Sequence, residues 1–186
     1  MRERLIKSKD NIAKPLEDYK TLMAESYKML QQGCKGSLQG IAKDIKAVEK
    51  QIQALIHADQ KLKDQYTIAT SLKGIGPVTA CQMIVSSGEF TKIQVVPFED
   101  SSGTSVRGRA RVSHWANKKM KSYLHMAALW ATKGPGELKT YYERELAKGK
   151  AKMSVLNAVR NKLVLRVCAC IRANQLYDRD YVYKAA

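Results

Sequence analysis

The stretch SLKGIGPVTA, residues 71–80, joins two segments with helical spacing near the middle of this 186-residue chain. Gly74 and Gly76 can take positive φ angles and let the turn approach another backbone closely. Ile75 between them is expected to plug into a small core, and Pro77 suits the first turn of a following helix. The pattern therefore predicts two helices joined by a hairpin.

The second helix of this helix-hairpin-helix would begin with backbone N–H groups that no helical hydrogen bond uses. A phosphate can bind such amides without any base being read. The candidate contacts are Lys73, Gly74, Ile75, Gly76 and the hydroxyl of Thr79. A tight helix-to-helix turn that binds no ligand is the alternative.

The N-terminal part of the chain predicts a helical arm over residues 1–66. A first helix is expected over 5–30, with Pro15 breaking or restarting it, and a turn is expected over 31–36. From residue 38 onward, apolar side chains recur at spacings of three and four, which is typical of a coiled coil. They are Leu38, Ile41, Ile45, Val48, Ile52, Leu55, Leu62 and Tyr66. The arm is thus a helical hairpin or a bent dimerisation arm.

Residues 67–186 predict a second, helical domain. Helices are expected over 68–72, 78–85, 116–132, 137–146 and 154–173. Trp115 and Trp130 are expected in the core. Residues 91–115 lack helical periodicity and predict one long irregular loop, a kind of segment that is usually functional in a compact domain. The predicted fold class is therefore all-α, with the arm followed by this helix-hairpin-helix domain.

The positive charge is concentrated in the C-terminal part of the chain. The formal net charge is +16, and residues 101–125 hold six basic and no acidic side chain. A block of one sign beside Gly-rich turns is typical of a surface that contacts phosphates, and a solvated face that keeps the chain soluble is the alternative. No apolar run approaches the ~18 residues of a membrane-spanning helix, so we expect no membrane partner.

A second motif, PFEDSSGTSVRGRARVSH, spans residues 97–114. A serine hydroxyl attacks phosphorus only where it is exposed and close to cations, and Gly103 would supply the clearance. Arg107, Arg109 and Arg111 share one face if the run is extended, and their guanidinium groups can clamp phosphate oxygens in pairs. From the residues alone, phosphate binding and catalysis explain this motif equally well.

Several separated blocks together resemble the C-terminal half of the serine-using insertion-sequence transposases. These are relatives of the site-specific DNA invertases, and some members are bridge-RNA-guided recombinases. The blocks that carry the resemblance are GIGPVTA (74–80), VPFE (96–99), SSGTSVRG (101–108), VSH (112–114), ANKK (116–119), HMAA (125–128) and MSVLNAVRNK (153–162). The resemblance implies that Ser102, directly before Gly103, is the nucleophile that joins covalently to DNA, with Ser101 as the fallback.

The resemblance also implies an N-terminal RNase H-like domain whose four acidic residues bind a divalent metal such as Mg²⁺. No such domain precedes Met1, so we expect a truncated transposase that carries no cofactor of its own. The connection over residues 93–96 is shorter than the family pattern, which could displace the Ser102 loop from the hairpin. Both departures concern catalysis more than DNA binding.

Two further groups are candidates for contacts with nucleic acid. Lys118, Lys119 and Lys121 follow the loop directly and are expected to track a DNA or RNA backbone. Asn157, Arg160 and Asn161 recur at helical spacing and could reach the Ser102 loop or a phosphate, or else cap neighbouring turns.

The sequence thus predicts a DNA-binding C-terminal domain of a transposase or site-specific recombinase that contributes a serine nucleophile to strand cleavage and joining. The alternative is a noncatalytic helix-hairpin-helix module for DNA or RNA, or a transposase remnant. The expected partners are double-stranded DNA, a structured guide RNA as a second candidate, and further copies of this chain through the arm. We expect a cytoplasmic bacterial protein associated with the nucleoid.

Overall fold

The computed structural model describes residues 1–91 and 117–178. These two ranges contain seven α-helices and no strand, which confirms the predicted all-α class. The helices are α1 (Arg2–Leu22), α2 (Ala24–Ala58), α3 (Gln60–Ser71), α4 (Pro77–Ser86), α5 (Lys118–Lys133), α6 (Glu137–Ala147) and α7 (Lys152–Ala173). Apart from Thr91, the predicted irregular loop lies outside the described residues.

The chain divides into two compact units, Met1–Asp59 and Gln60–Ala186. Tyr66, the predicted end of the arm, lies inside α3. The four helices predicted from residue 78 onward are found as α4 to α7, with bounds that agree within two residues.

The first unit consists of α1 packed against α2. The break between them is at Met23, whose φ of −148° and ψ of 86° are not helical. Arg2 Nε at the start of α1 donates to Glu49 Oε1 in the later part of α2 at 2.7 Å, so the two helices run antiparallel. The turn predicted over 31–36 is wrong, because α2 continues through it. A helical glycine weakens a helix by only about 0.5–1 kcal/mol relative to alanine and does not end it.

Pro15 lies inside α1, so the predicted break or restart at this residue is also wrong. Proline removes one backbone hydrogen bond from a helix interior but leaves the remaining turns intact. The next residue, Leu16, is buried, which favours continuation of the helix across the proline.

The apolar seam predicted over 38–66 is divided between α2 and α3, because Asp59 takes the extended conformation. Within α2 the seam shifts by one residue at its end. Ile56 is buried, whereas Leu55, the predicted seam position, is 69% exposed. A straight helix has 3.6 residues per turn, so a strict 3.5-residue repeat drifts off the buried face.

In the second unit α3, α5 and α6 pack against α7, and α4 packs against α3 and α5. The buried residues of α5 are alanines, whose small side chains let neighbouring backbones approach closely. The core cluster comprises Ala69, Leu72, Ile75, Ala80, Met83, Ala127, Ala128, Ala131, Leu138, Leu156, Val159, Leu163 and Val167.

A short segment after α7 returns to the end of α3. Asn174 ends α7 in the left-handed conformation, and the backbone N–H of Tyr177 donates to Ser71 Oγ at 2.9 Å. Arg166 of α7 donates to the Tyr177 hydroxyl at 3.0 Å and to Glu137 of α6 at 2.5 Å. The segment that follows α7 is thus hydrogen-bonded to the end of α3.

Candidate nucleic-acid interface

The turn between α3 and α4 is anchored by apolar side chains and by one glycine. The backbone N–H of Ile75 donates to the carbonyl of Leu72 at 3.1 Å, and both side chains are buried in the core as expected for Ile75. Gly74 has a φ of +99°, and a Cβ at this position would collide with the carbonyl oxygen of Ala127 in α5. Only glycine therefore fits at residue 74 without displacing α5.

Gly76 has a different role from Gly74. Its φ is −86°, so the expectation that both glycines take positive φ is wrong for Gly76. A Cβ at Gly76 would meet no atom within 4 Å. The position is therefore open space at the start of α4, and a larger side chain can be placed there without strain.

The first turn of α4 has unused backbone donors. Gly76 is the N-cap and Pro77 is the first helical residue, and no side chain caps the helix. The first helical hydrogen bond runs from the N–H of Ala80 to the carbonyl of Gly76 at 2.9 Å. This leaves the N–H groups of Val78 and Thr79 without a helical acceptor. The Thr79 side chain is buried but lines the cleft described below.

Lys73 ties the turn to the connection between α5 and α6. Its Nζ donates to the carbonyl of Pro135 at 2.8 Å. Gly134 leaves the room for this contact, because a Cβ there would lie 2.5 Å from Lys73 Nζ. An ammonium group has three donors, so this bond fixes the cation beside the turn and leaves donors for an anion.

Lys118, Lys119 and Lys121 are exposed at the first turn of α5. Asn117 caps this helix by accepting from the N–H of Met120 at 3.0 Å, and its Nδ2 donates to Ser86 Oγ in α4 at 3.1 Å. Cations at a helix N-terminus oppose the helix dipole and add to its positive potential. The arrangement attracts anions at this end of α5. Sequence reasoning missed the bridging role of Asn117.

The residues of the predicted polar stripe on α7, Asn157, Arg160 and Asn161, differ in burial. Asn157 and Asn161 are exposed and make no hydrogen bond to the described residues, so within this part of the chain they do not cap neighbouring turns. Arg160 is half-buried, and its Nε is buried without a partner in residues 1–91 and 117–178. The two amides are therefore exposed, whereas the arginine is partly buried.

A cleft of about 510 Å³ adjoins the turn. Lys73, Gly74, Ile75, Gly76 and Thr79 all line it, so the structure brings these predicted contacts together. The opposite wall is formed by residues of α5, including Met126 and Trp130. Trp130 is 63% exposed and Met126 is 52% exposed, so the prediction of a core position for Trp130 is wrong.

The buried face of α5 explains this error. Ala127, Ala128 and Ala131 fill that face, which leaves Trp130 on the outer side of the helix. The signal in the sequence is the alanine spacing, since three small residues at positions i, i+1 and i+4 also form one stripe.

The basic turn between α6 and α7 is arranged around a buried carboxylate. Glu145 is 5% exposed and accepts from Lys150 Nζ at 2.5 Å and from Lys148 Nζ at 2.9 Å. The hydrogen bonds from Lys150 and then from Lys148 lower the pKa of Glu145 from 4.5 to about 2. These two lysines are therefore partly neutralised, and their charge is less available to an external anion.

The remaining predicted site residues lie outside the described residues. They are Ser101, Ser102, Gly103, Arg107, Arg109 and Arg111. Within the two described ranges, no three His, Cys, Asp or Glu side chains come together in a way that could hold a metal ion. No helix of those ranges is long and apolar enough to cross a membrane.

The amino-acid sequence of this chain is similar to those of known proteins. Residues 66–143 match a family model described as "Transposase IS116/IS110/IS902 family". The chain is 26% identical over 152 residues to the "Insertion element IS110 uncharacterized 43.6 kDa protein" of Streptomyces coelicolor, covering 76% of this chain and 36% of that protein. It is 25% identical over 146 residues to the "Pilin gene-inverting protein" of Moraxella bovis, covering 73% of this chain and 45% of that protein.

The pilin gene-inverting protein of Moraxella lacunata matches to the same extent, with 25% identity over 146 residues. The chain therefore spans less than half the length of these curated relatives. Residues 66–143, which contain the turn and the whole of α5, are thus similar to the transposases of the IS116/IS110/IS902 family.

Proposed function

We propose that the second unit is the DNA-binding part of a transposase or site-specific recombinase, and that the turn after α3 is a helix-hairpin-helix that binds a DNA phosphate. The observation that carries the proposal is the uncapped start of α4 beside Lys73, within the segment that matches the transposase family. The N–H groups of Val78 and Thr79 bind phosphate oxygens, and Lys73 contributes a fixed cation. Such contacts read the backbone and carry no sequence preference.

The basic start of α5 extends this phosphate-binding surface. Lys118, Lys119 and Lys121 bind further backbone phosphates, and release of their counterions makes the affinity fall steeply with salt. Asn157 and Asn161 of α7 are additional contacts in this proposal.

In this proposal Ser102 is the nucleophile, on the basis of the family resemblance. The Ser102 hydroxyl gives up its proton as its Oγ bonds to the phosphorus of a DNA phosphodiester, the bond between phosphorus and the leaving deoxyribose oxygen breaks, and that oxygen takes up a proton. The product is a phosphoserine link. Arg107, Arg109 and Arg111 offset the charge on the phosphoryl oxygens, and an acidic, metal-binding domain assists the step.

The arm of α1 and α2 brings protomers together on two DNA ends in this proposal. Most seam residues of α2, such as Ile45 and Val48, are only half-buried by α1. A second copy of the arm would bury the remaining apolar surface. A structured guide RNA is the further partner that the resemblance suggests.

The phosphate site is tested by placing a carboxylate at its centre. Gly76→Glu puts a negative charge at the start of α4 in open space, so the fold is retained while phosphate binding is opposed. Gly36→Glu on α2 is the matched control, since a Cβ there also meets no atom within 4 Å. In fluorescence anisotropy with a duplex, we expect Gly76→Glu to lower the affinity about tenfold or more. Equal affinities for the two variants would contradict the phosphate site.

The nucleophile is tested separately by incubating the chain, joined to an acidic domain from a relative, with nicked suicide DNA. We expect a covalent protein–DNA adduct that is lost in Ser102→Ala and kept in Ser101→Ala. An adduct that survives Ser102→Ala contradicts the assignment of the nucleophile. Duplex binding with no adduct from any of these proteins would instead support the noncatalytic binding module.

A further inference from the structure

One exposed face of α5 combines basic and apolar side chains. Five exposed residues recur along the helix at spacings of three and four and so share a face. They are Lys119, Ser122, Met126, Trp130 and Lys133. The basic residues stand at the ends of this face, and the two large apolar side chains stand toward its middle and end beside the α3–α4 turn.

Met126 and Trp130 do not belong to the core of the unit. The buried residues of α5 are Ala127, Ala128 and Ala131, and Met120, Leu124 and Leu129 pack against the same core. Large apolar groups that stay in water forgo the stabilisation that their burial would give. Such a pair in the wall of a cleft is typical of a site that a ligand covers.

The chemistry of the cleft selects the class of ligand. Its lining contains one cation, Lys73, and no carboxylate, and Lys133 Nζ lies 5.5 Å from the centre of the Trp130 ring. A flat aromatic ring stacks on the face of any nucleobase, and a thioether such as that of Met126 adapts to aromatic surfaces. The volume of about 510 Å³ is in the range that holds small organic ligands.

The other wall supplies a phosphate contact next to this ring. Gly76 and Thr79 at the start of α4 line the same cleft as Trp130. A nucleotide placed there can stack its base on Trp130 while its phosphate meets the free amides of α4. A base inside a duplex is stacked on both sides, so it cannot use this wall without leaving the helix.

We infer that this cleft holds an unpaired nucleobase, displaced from the duplex and stacked on Trp130, beside the phosphate bound at the α3–α4 turn. The inference rests on the proposed function of the unit as a DNA-binding module. It extends that function from backbone contacts to a preference for DNA that is locally unpaired.

Affinities for paired and unpaired DNA test the inference. The full chain is titrated with a fully paired duplex and with the same duplex carrying a three-nucleotide unpaired bubble at its centre. Because stacking on an aromatic side chain adds to the affinity for an unpaired base, we expect Trp130→Ala to weaken bubble binding about tenfold. Binding of the paired duplex stays within about twofold. Leu165→Ala on α7, which truncates another half-exposed apolar side chain, is expected to change neither.

Fluorescence supplies a second readout. The chain has two tryptophans, so Trp115→Phe leaves Trp130 as the sole reporter. We expect bubble DNA to quench its emission and the paired duplex to quench it much less. The affinity titrations are made with Trp115 in place, so their result does not depend on whether Trp115→Phe disturbs the fold.

The outcomes separate the inference from the function on which it rests. Duplex binding that is intact, together with equal effects of Trp130→Ala on both DNAs or no effect on either, overturns the inference and leaves the proposed function standing. Failure of the wild-type chain to bind either DNA at low salt overturns both.

Discussion

In two glycine-containing basic turns of the second unit, the lysines are bonded to different kinds of acceptor. The turn at Lys73–Gly76 has one lysine, bonded to a neutral carbonyl, and is held by buried apolar groups. The turn at Lys148–Lys150 has two lysines, and both are bonded to the buried carboxylate of Glu145. The turn that is richer in lysine therefore offers less free charge. The number of basic residues in a segment does not measure what the segment presents to an anion.

The largest expected difference between the turns is in the role of their glycines. Gly74 and Gly149 both have positive φ, at 99° and 79°, but only Gly74 is packed against another backbone. We expect Gly74→Ala to destabilise the fold by about 3 kcal/mol, from backbone strain and the collision with Ala127. Gly149→Ala should cost about 1 kcal/mol, from strain alone. Urea unfolding of both variants measures the difference, and equal midpoints would refute the close approach at Gly74.

A smaller effect is expected when the carboxylate that anchors the second turn is neutralised. Glu145→Gln removes the charge that binds Lys148 and Lys150, so it should lower the midpoint of urea unfolding at neutral pH. Glu143→Gln is the control, because Glu143 is exposed and its Oε1 lies 3.6 Å from Nζ of Lys139, its one ion-pair partner among the described residues. A midpoint for Glu145→Gln as high as that of Glu143→Gln would contradict a structural role for the buried carboxylate.

The same substitution has a defined pH dependence. The pKa of Glu145 is about 2 in the folded protein against an ordinary value of 4.5. A carboxyl whose folded pKa is lowered stabilises the fold fully above its unfolded pKa, and this stability is lost as the pH falls toward the folded pKa. The difference in stability between wild type and Glu145→Gln should therefore be constant above about pH 5 and shrink below about pH 4.5. A difference that stays constant down to about pH 3 would refute the assignment.

The smallest expected effect concerns the salt dependence of DNA binding. Each lysine that neutralises a phosphate contributes about one unit to the slope of log K against log salt. Lys73→Ala should therefore reduce the slope by about one, and Lys150→Ala should leave it nearly unchanged. Anisotropy titrations at four or more salt concentrations give both slopes. A larger loss for Lys150→Ala would reverse the contrast between the two turns.

The sequence predicted well the features that depend on local spacing. The bounds of α4 to α7 and the burial of Ile75 follow from apolar periodicity and from glycine and proline positions. The start of α3 at Gln60 was not predictable in this way, because Asp59 and Met23 end helices without a glycine or proline signal. Their positions are set by how the helices pack, which local propensity does not encode.

Parts of the candidate site depend on contacts between distant residues and escaped prediction for that reason. Trp130 is exposed because three alanines occupy the buried positions of α5, and a search for large apolar residues at helical spacing does not reveal this. The neutralisation of Lys150 requires Glu145 to be buried, which is a property of the packed unit. Conversely, the clustering of Lys73 to Gly76 and Thr79 in one cleft follows directly from the hairpin that the sequence predicts.

The hydrogen bond from Tyr177 to Ser71 joins residues 106 positions apart. During translation, this hydrogen bond at the end of α3 can therefore form only after residue 177 has left the ribosome. α3 packs against α7, and the segment can reach Ser71 only after α7 has been made, so this segment is expected to dock late. A nascent chain that has completed α3 and α4 would accordingly hold the α3–α4 turn without this hydrogen bond, which forms only when the segment after α7 has been made.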